Sequence, residues 1–151
     1  MSSHAPVPTL LLLFKVDGRC CAVPVDTVRE IVRAVAVDAV AGMPHAVDGV
    51  CQVRGKSVPV VSMRTRLGLT SRPVSASDYF ILVELGSGLV ALRVDEVMRL
   101  DTAPIEFLEA GHATMAGLAR LEEGTILVHD VYASLDASDT AAVAALMEAV
   151  G

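Results

Sequence analysis

Two diverged copies of one pattern, offset by about half the chain, constrain this sequence more than any other feature. From Phe14 the first copy reads FKVDGRCCAVPVDTVREI, and from Val83, 69 positions on, the second reads VELGSGLVALRVDEVMRL. Ala22 and Ala91, Val25 and Val94, Asp26 and Asp95, and Val28 and Val97 are identical in register. A second block, GVCQVRGKSVPVVSM from Gly49, lines up with GLARLEEGTILVHDV from Gly117, glycine on glycine, with an apolar run at the same distance after a polar turn. Repetition on this scale is architecture before it is chemistry. Each copy holds several short strands with turn signals between them, which predicts two small β-barrels or sheets related by pseudo-symmetry within one domain.

At 151 residues the chain can bury one good core, but a half of about 70 residues would bury little alone, so the halves are expected to share a core. Apolar residues make up 53% and aromatic ones 3%, so that core has to be built from Val, Leu, Ala and Ile, and the valine content favours strands. With 3 Phe, 2 Tyr, no Trp and a net charge of −6, the chain lacks both the rings and the field for nucleic acid. Residues 1–75 hold 9 basic against 5 acidic side chains, whereas 76–151 hold 3 against 13, a contrast suited to a protein placed between partners.

The apolar runs Leu10 to Val16 and Arg19 to Pro24 flank Asp17-Gly18, a hairpin signal. Val25 to Val35 has apolar residues at helical spacing, with Asp26 as a cap, and is read as a short helical turn although its β-branched residues also suit a strand. Val50 to Val53 and Ser57 to Val61 flank the turn Arg54-Gly55-Lys56, and Leu67 to Ser77 reads as the linker between copies. Tyr79 to Leu85, Leu89 to Val94, Ala116 to Leu121 and Thr125 to Val128 supply the second set of strands. Ser138 caps an expected C-terminal helix over about 138–150. The resulting division is one domain over 1–151, a first barrel mainly from 14–75 and a second mainly from 79–135.

Nothing here has the form of an active site. His129 and Asp130, with Ser57 or Ser62 as distant nucleophiles, are neighbours whose side chains would point to opposite faces of a strand. Glu122-Glu123 before Gly124 reads as a solvated turn, and the glycines as hairpin turns. Cys20, Cys21 and Cys51 are odd in number and are expected to be free thiols, with Cys20 and Cys21 on opposite faces. No zinc spacing, no cofactor motif, no export signal and no membrane span is visible, so a cytoplasmic protein without metal or cofactor is expected. Arg54 stands out as a permanently charged fork fixed in a hairpin between valine-rich strands.

The segment GVCQVRGKSVPVVSMRTRLGL at Gly49 to Leu69 resembles CheW, the coupling-protein family of bacterial chemotaxis arrays. Gly49, Gln52-Val53-Arg54-Gly55, Pro59 and Ser62-Met63-Arg64 match that family's glycine, its Asn-Leu-Arg-Gly turn, its proline-bearing strand and its Asp-Leu-Arg ending. Gln52 and Ser62 depart from the usual Asn and Asp. AVPVDTVREIVR, VDEV at Val94 to Val97, and GLARLEEGTILVHDV agree in order and spacing, so the resemblance runs from about Leu10 to Leu135. It implies an all-β fold of two five-stranded SH3-like barrels around a shared apolar core. It also implies a non-catalytic scaffold joining the cytoplasmic tip of chemoreceptors to the regulatory domain of a CheA-type histidine kinase. Carried over by position, Val28, Ile31, Arg54, Val97 and Leu100 would line or flank a groove for the receptor helix, and Glu30 would fall at the kinase contact. The rival reading is a small-ligand-binding or enzymatic β-barrel that has taken over the fold.

Overall fold

The computed structural model describes residues 7–85, 88–107 and 115–129; the C-terminal helix expected over 138–150 and Asp130 lie outside them. Ten strands run in chain order: β1 (Val7–Val16), β2 (Arg19–Pro24), β3 (Val28–Arg33), β4 (Val47–Val53), β5 (Lys56–Ser62), β6 (Tyr79–Leu85), β7 (Gly88–Val94), β8 (Glu96–Phe107), β9 (Met115–Leu121) and β10 (Gly124–His129). A 3₁₀ turn, Val25–Thr27, precedes β3, and a four-residue helix α1 (Met63–Arg66) follows β5. Ser62 caps α1 by accepting from the Thr65 amide at 3.3 Å.

The strands form a closed five-stranded barrel in the order β1-β2-β10-β9-β8 and a five-stranded sheet in the order β3-β6-β7-β5-β4. Each lobe therefore takes two strands from one copy of the repeat and three from the other. This corrects the sequential division into a barrel of 14–75 and a barrel of 79–135: the hairpin of each copy closes the lobe built mainly by the other. Parallel pairings make the exchange, Leu127 and Val128 against Cys21 and Ala22 in the barrel, and Val60 to Ser62 against Ala91 to Arg93 in the sheet. The second lobe is an open sheet. Its β3 and β4 edges are joined through the chain after β3, where Asp38 and Val50 exchange backbone hydrogen bonds at 2.8 and 2.9 Å.

Exchange explains the continuous apolar runs. Leu11 and Leu13 point into the barrel with Ala22, Ile105, Ala119 and Val128, while Leu12, Phe14 and Val16 point out to meet Ile81, Val83, Leu92 and Val94 of the other lobe. Phe80, Leu82 and Ala91 face instead into the second sheet with Val58 and Val60. Strands buried on both faces cannot alternate apolar with polar. The shared core is thus the contact between β1-β2 and β6-β7, and Cys21 faces it while Cys20 faces the barrel interior.

Two strands were not legible as such. The expected helical turn over Val25 to Val35 survives only as Val25–Thr27, where Asp26 makes no cap and Pro24 stands at the cap position; Val28 onward is β3. Here β-branched residues with a partner strand outweigh an ambiguous helical period. Its repeat mate β8, the longest strand, was missed altogether. Gly49 and Gly117, read as turns, lie within strands: a Cβ on Gly49 would stand 2.1 Å from the Asp38 carbonyl oxygen, and one on Gly117 2.5 Å from that of Glu106. Among the described residues, no helix is long and apolar enough to cross a membrane.

Candidate functional site

Cross-strand pairs share a face, so the pairing register sorts the six residues singled out in the sequence. Val28 lies opposite Val83 and Val97 opposite Phe14, and both valines are half-buried against the shared core. Ile31 lies opposite Ile81 and Leu100 opposite Leu12, again core partners, yet they stand at the rim with 38% and 57% of their surface exposed. The pairs Val28/Val97 and Ile31/Leu100 are each 69 positions apart, so the four occupy equivalent places on two sheets. Glu30 lies opposite Leu82, which faces the interior of the second sheet, and so belongs to the other side of β3 from Ile31.

There it meets Arg54. Arg54 and Gly55 form the two-residue turn between β4 and β5 with φ of 49° and 79°, both in the left-handed region that such hairpins require. The guanidinium grips Glu30 with both arms, Nη1 donating to Oε2 at 2.7 Å and Nη2 to Oε1. The hydrogen bonds from Arg54 hold the Glu30 carboxyl below its ordinary range. The pair spans the mouth of the second sheet, over a depression of about 300 Å³ lined also by Arg29, Val53, Lys56, Leu82 and Leu89.

The barrel carries the same device with its charges exchanged. Arg99 on β8 grips Glu123 in the β9–β10 turn, its Nη2 donating to Oε1 at 2.8 Å and its Nη1 to Oε2, and Arg99 also reaches Asp101 at 3.1 Å. Shifting Glu30 by 69 gives Arg99 and shifting Lys15 by 69 gives Glu84, while Arg54, shifted by the 68 positions of its own block, falls on Glu122, beside Glu123 in the equivalent turn, so strand and turn have exchanged sign. Arg99 pulls the Glu123 carboxyl down to about 2, aided by its own backbone amide. Glu122-Glu123 is the exposed turn expected from the sequence, and Glu123 is in addition tied to Arg99. The repeat carries Glu30 to Arg99 and Arg54 to the turn that holds Glu123, but matching by identity hides a charge reversal.

A third cluster fixes the approach to β8. Asp95 accepts from the Asp17 amide at 2.7 Å, from Arg64 at 2.7 Å and from Arg72 at 3.0 Å. Burial pushes its carboxyl up, but the amide and the two guanidiniums outweigh that and leave it below its ordinary value. Arg72 also binds buried Asp78 at 2.9 Å, and Arg93, 4% exposed, donates to the Arg72 carbonyl at 2.7 Å and faces Asp48 at 3.3 Å. Arg64, the last residue of the motif, is thus an anchor inside this network. His129 ends β10 with 1% exposure, its ring centroid 6.4 Å from that of Phe14, and Ser62 is occupied as a cap.

Among solved structures, the scaffolding protein TtCheW from Thermoanaerobacter tengcongensis superposes with a TM-score of 0.76 over 88% of this chain and 96% of that one. At 22% identity this likeness shows the fold. No curated protein matches the chain by sequence. The family model described as the CheW-like domain matches residues 10–139, which takes in all ten strands from within β1 onward, and the chain belongs to the CheW-like domain family.

Proposed function

We propose that this chain is a non-enzymatic adaptor that couples the cytoplasmic tip of chemoreceptors to the regulatory domain of a CheA-type histidine kinase in a chemosensory array, and that it acts in the cytoplasm. The observation that carries this reading is the CheW-like match over residues 10–139. Val28, Ile31, Val97 and Leu100 are the apolar contacts in it, two rim residues backed by two half-buried ones, as a helix docking on an apolar face needs. Glu30 and Arg54 are the charged contact, pre-set by their mutual grip before any partner arrives.

The charge-swapped variant Glu30→Arg/Arg54→Glu separates folding from recognition. Because the equivalent site on the barrel holds an arginine on the strand and a glutamate in the turn, the swap should fold and melt like the parent. Titrated against a receptor-tip fragment and a kinase regulatory domain, it should lose at least about tenfold in affinity for one of them, since a partner's complementary charge now meets repulsion. Unchanged binding to both would remove Glu30 and Arg54 from the contact. A parent protein that binds neither partner would end the adaptor reading.

A further inference from the structure

The two equivalent rims differ in one respect that backbone symmetry does not require. On β3 the face of Ile31 also carries Arg33, opposite Tyr79; on β8 the same places are held by Leu100, Thr102 and Leu10, with Leu10 opposite Thr102. One rim has a permanent cation beside its apolar anchor, and the other is uncharged. Arg33 is exposed and has no ion-pair partner among the described residues. Its guanidinium sits 4.9 Å from the Tyr79 ring centroid. Stacking of this kind holds the planar group over the sheet while its edge N–H donors stay free for a carboxylate. Arginine held in this way loses little freedom on binding, so the rim is prepared for an anion that the described residues do not supply.

We propose that Arg33 determines partner specificity at the β3 rim by reading an acidic side chain one helical turn from the apolar residue that docks on Ile31. This rests on the adaptor reading, in which a receptor helix lies along that face. Same-face residues two apart in a strand are separated by about 6.6 Å, and residues four apart on a helix by about 6 Å along its axis. A helix aligned with β3 whose apolar anchor meets Ile31 therefore sets the residue one turn away against Arg33, and an Asp or Glu at that position pairs with it. The β8 rim, with Thr102 in the corresponding place, makes no such demand, so the two rims select different surfaces although their backbones are equivalent.

The test titrates a chemoreceptor cytoplasmic-tip fragment with the parent, Arg33→Thr, Arg33→Lys and Ile31→Ala, at low and at about 0.5 M salt. Thr is the residue that β8 carries at this place, so Arg33→Thr should keep the fold, which a melting curve verifies. Arg33→Thr should bind about two- to fivefold more weakly at low salt, with the difference gone at high salt, and Arg33→Lys should recover most of the loss. Changing the fragment's acidic residues singly to amides should find one whose loss weakens the parent but not Arg33→Thr. If Arg33→Thr binds as the parent does at low salt while Ile31→Ala is weakened, this proposal fails and the adaptor reading stands. If Ile31→Ala also binds normally, the β3 rim is not the contact and both readings fail there. Should Arg33→Thr instead abolish self-association of the parent, the carboxylate belongs to a second copy, which overturns the assignment to a receptor helix.

Discussion

Arg54 shows what a residue can and cannot disclose from sequence. Its charge and its place in a hairpin are legible, but its union with Glu30, which the resemblance sets at a kinase contact apart from the receptor groove, is not, because 24 residues and a change of strand separate them. The repeat supplies the missing link in physical terms: two equivalent turns each hold a charge over the mouth of a lobe, and each strand before them answers with the opposite sign. The barrel pair makes a pH prediction. Glu123 has its pKa lowered to about 2 from an ordinary 4.5, first by the Arg99 hydrogen bonds. A carboxylate whose folded pKa is depressed stabilises the fold above its unfolded value, and that contribution is lost as pH falls from about 4.5 through about 2. An NMR titration of the Glu123 side chain should therefore give a midpoint near 2 in the parent and a clearly higher one, moved toward the ordinary 4.5, in Arg99→Gln. A parent midpoint near 4.5 would show that the pair is not held in solution.

Among elements, hairpins were readable and crossing strands were not. Asp17-Gly18 announces its turn because two successive positive φ values favour such residues, Gly55 marks the second turn with Arg54 taking a φ of 49° beside it, and β1, β2, β4, β5, β6, β7, β9 and β10 follow from their apolar runs. The same element is hidden in both copies: the pattern over β3 fits a helical turn, and that over β8 does not mark a strand. Each is bulged near its start, between Val28 and Glu30 and at the residue between Val97 and Arg99, which breaks the alternation that marks a strand. The glycines approached by the chain after β3 and by β8 are equally hidden, since Gly49 and Gly117 matter for what approaches them. Gly49 has a φ of 146°, and its missing Cβ leaves room for the Asp38 carbonyl in the contact that joins the two edges of the open sheet. Gly49→Ala should cost about 2 kcal/mol or more, through overpacking against backbone that cannot yield. Gly68→Ala, at a φ of 73° with no atom within 4 Å, should cost only about 1 kcal/mol. Chemical denaturation of the two variants compares them directly, and equal losses would mean that the Asp38 contact adds nothing.

The whole molecule is a pair of interlocked lobes rather than two barrels in a row, and the shared core is where they interlock. A common core was foreseeable from the size of each half, but the exchange was not, because a repeat is equally consistent with lobes closed within each copy and lobes closed between copies. Parallel pairing of β2 with β10 and of β5 with β7 decides the matter, and no local pattern encodes it. The exchange leaves each mouth furnished by one copy, since three strands of each lobe come from one copy and carry Glu30 and Arg54 in one case, Arg99 and Glu123 in the other, so each mouth holds one acid and one base. Exchange also sharpens what cutting the chain should do. A fragment of residues 1–75 holds β1 to β5 but lacks β8 and β10 for its first hairpin and β6 and β7 for the rest, and the fragment 76–151 is deprived in the mirrored way. Neither fragment can close a lobe, and each exposes the apolar face that Leu12, Phe14, Ile81 and Leu92 bury together. Each should aggregate or remain unfolded alone, yet the two refolded together should give a soluble one-to-one complex with the β-sheet circular dichroism of the intact chain, because every missing partner is then present. Size-exclusion chromatography distinguishes the outcomes. A single fragment that elutes as a monomer and unfolds cooperatively would mean that a lobe can close within one copy, and that the exchanged strands are not what holds the two lobes together.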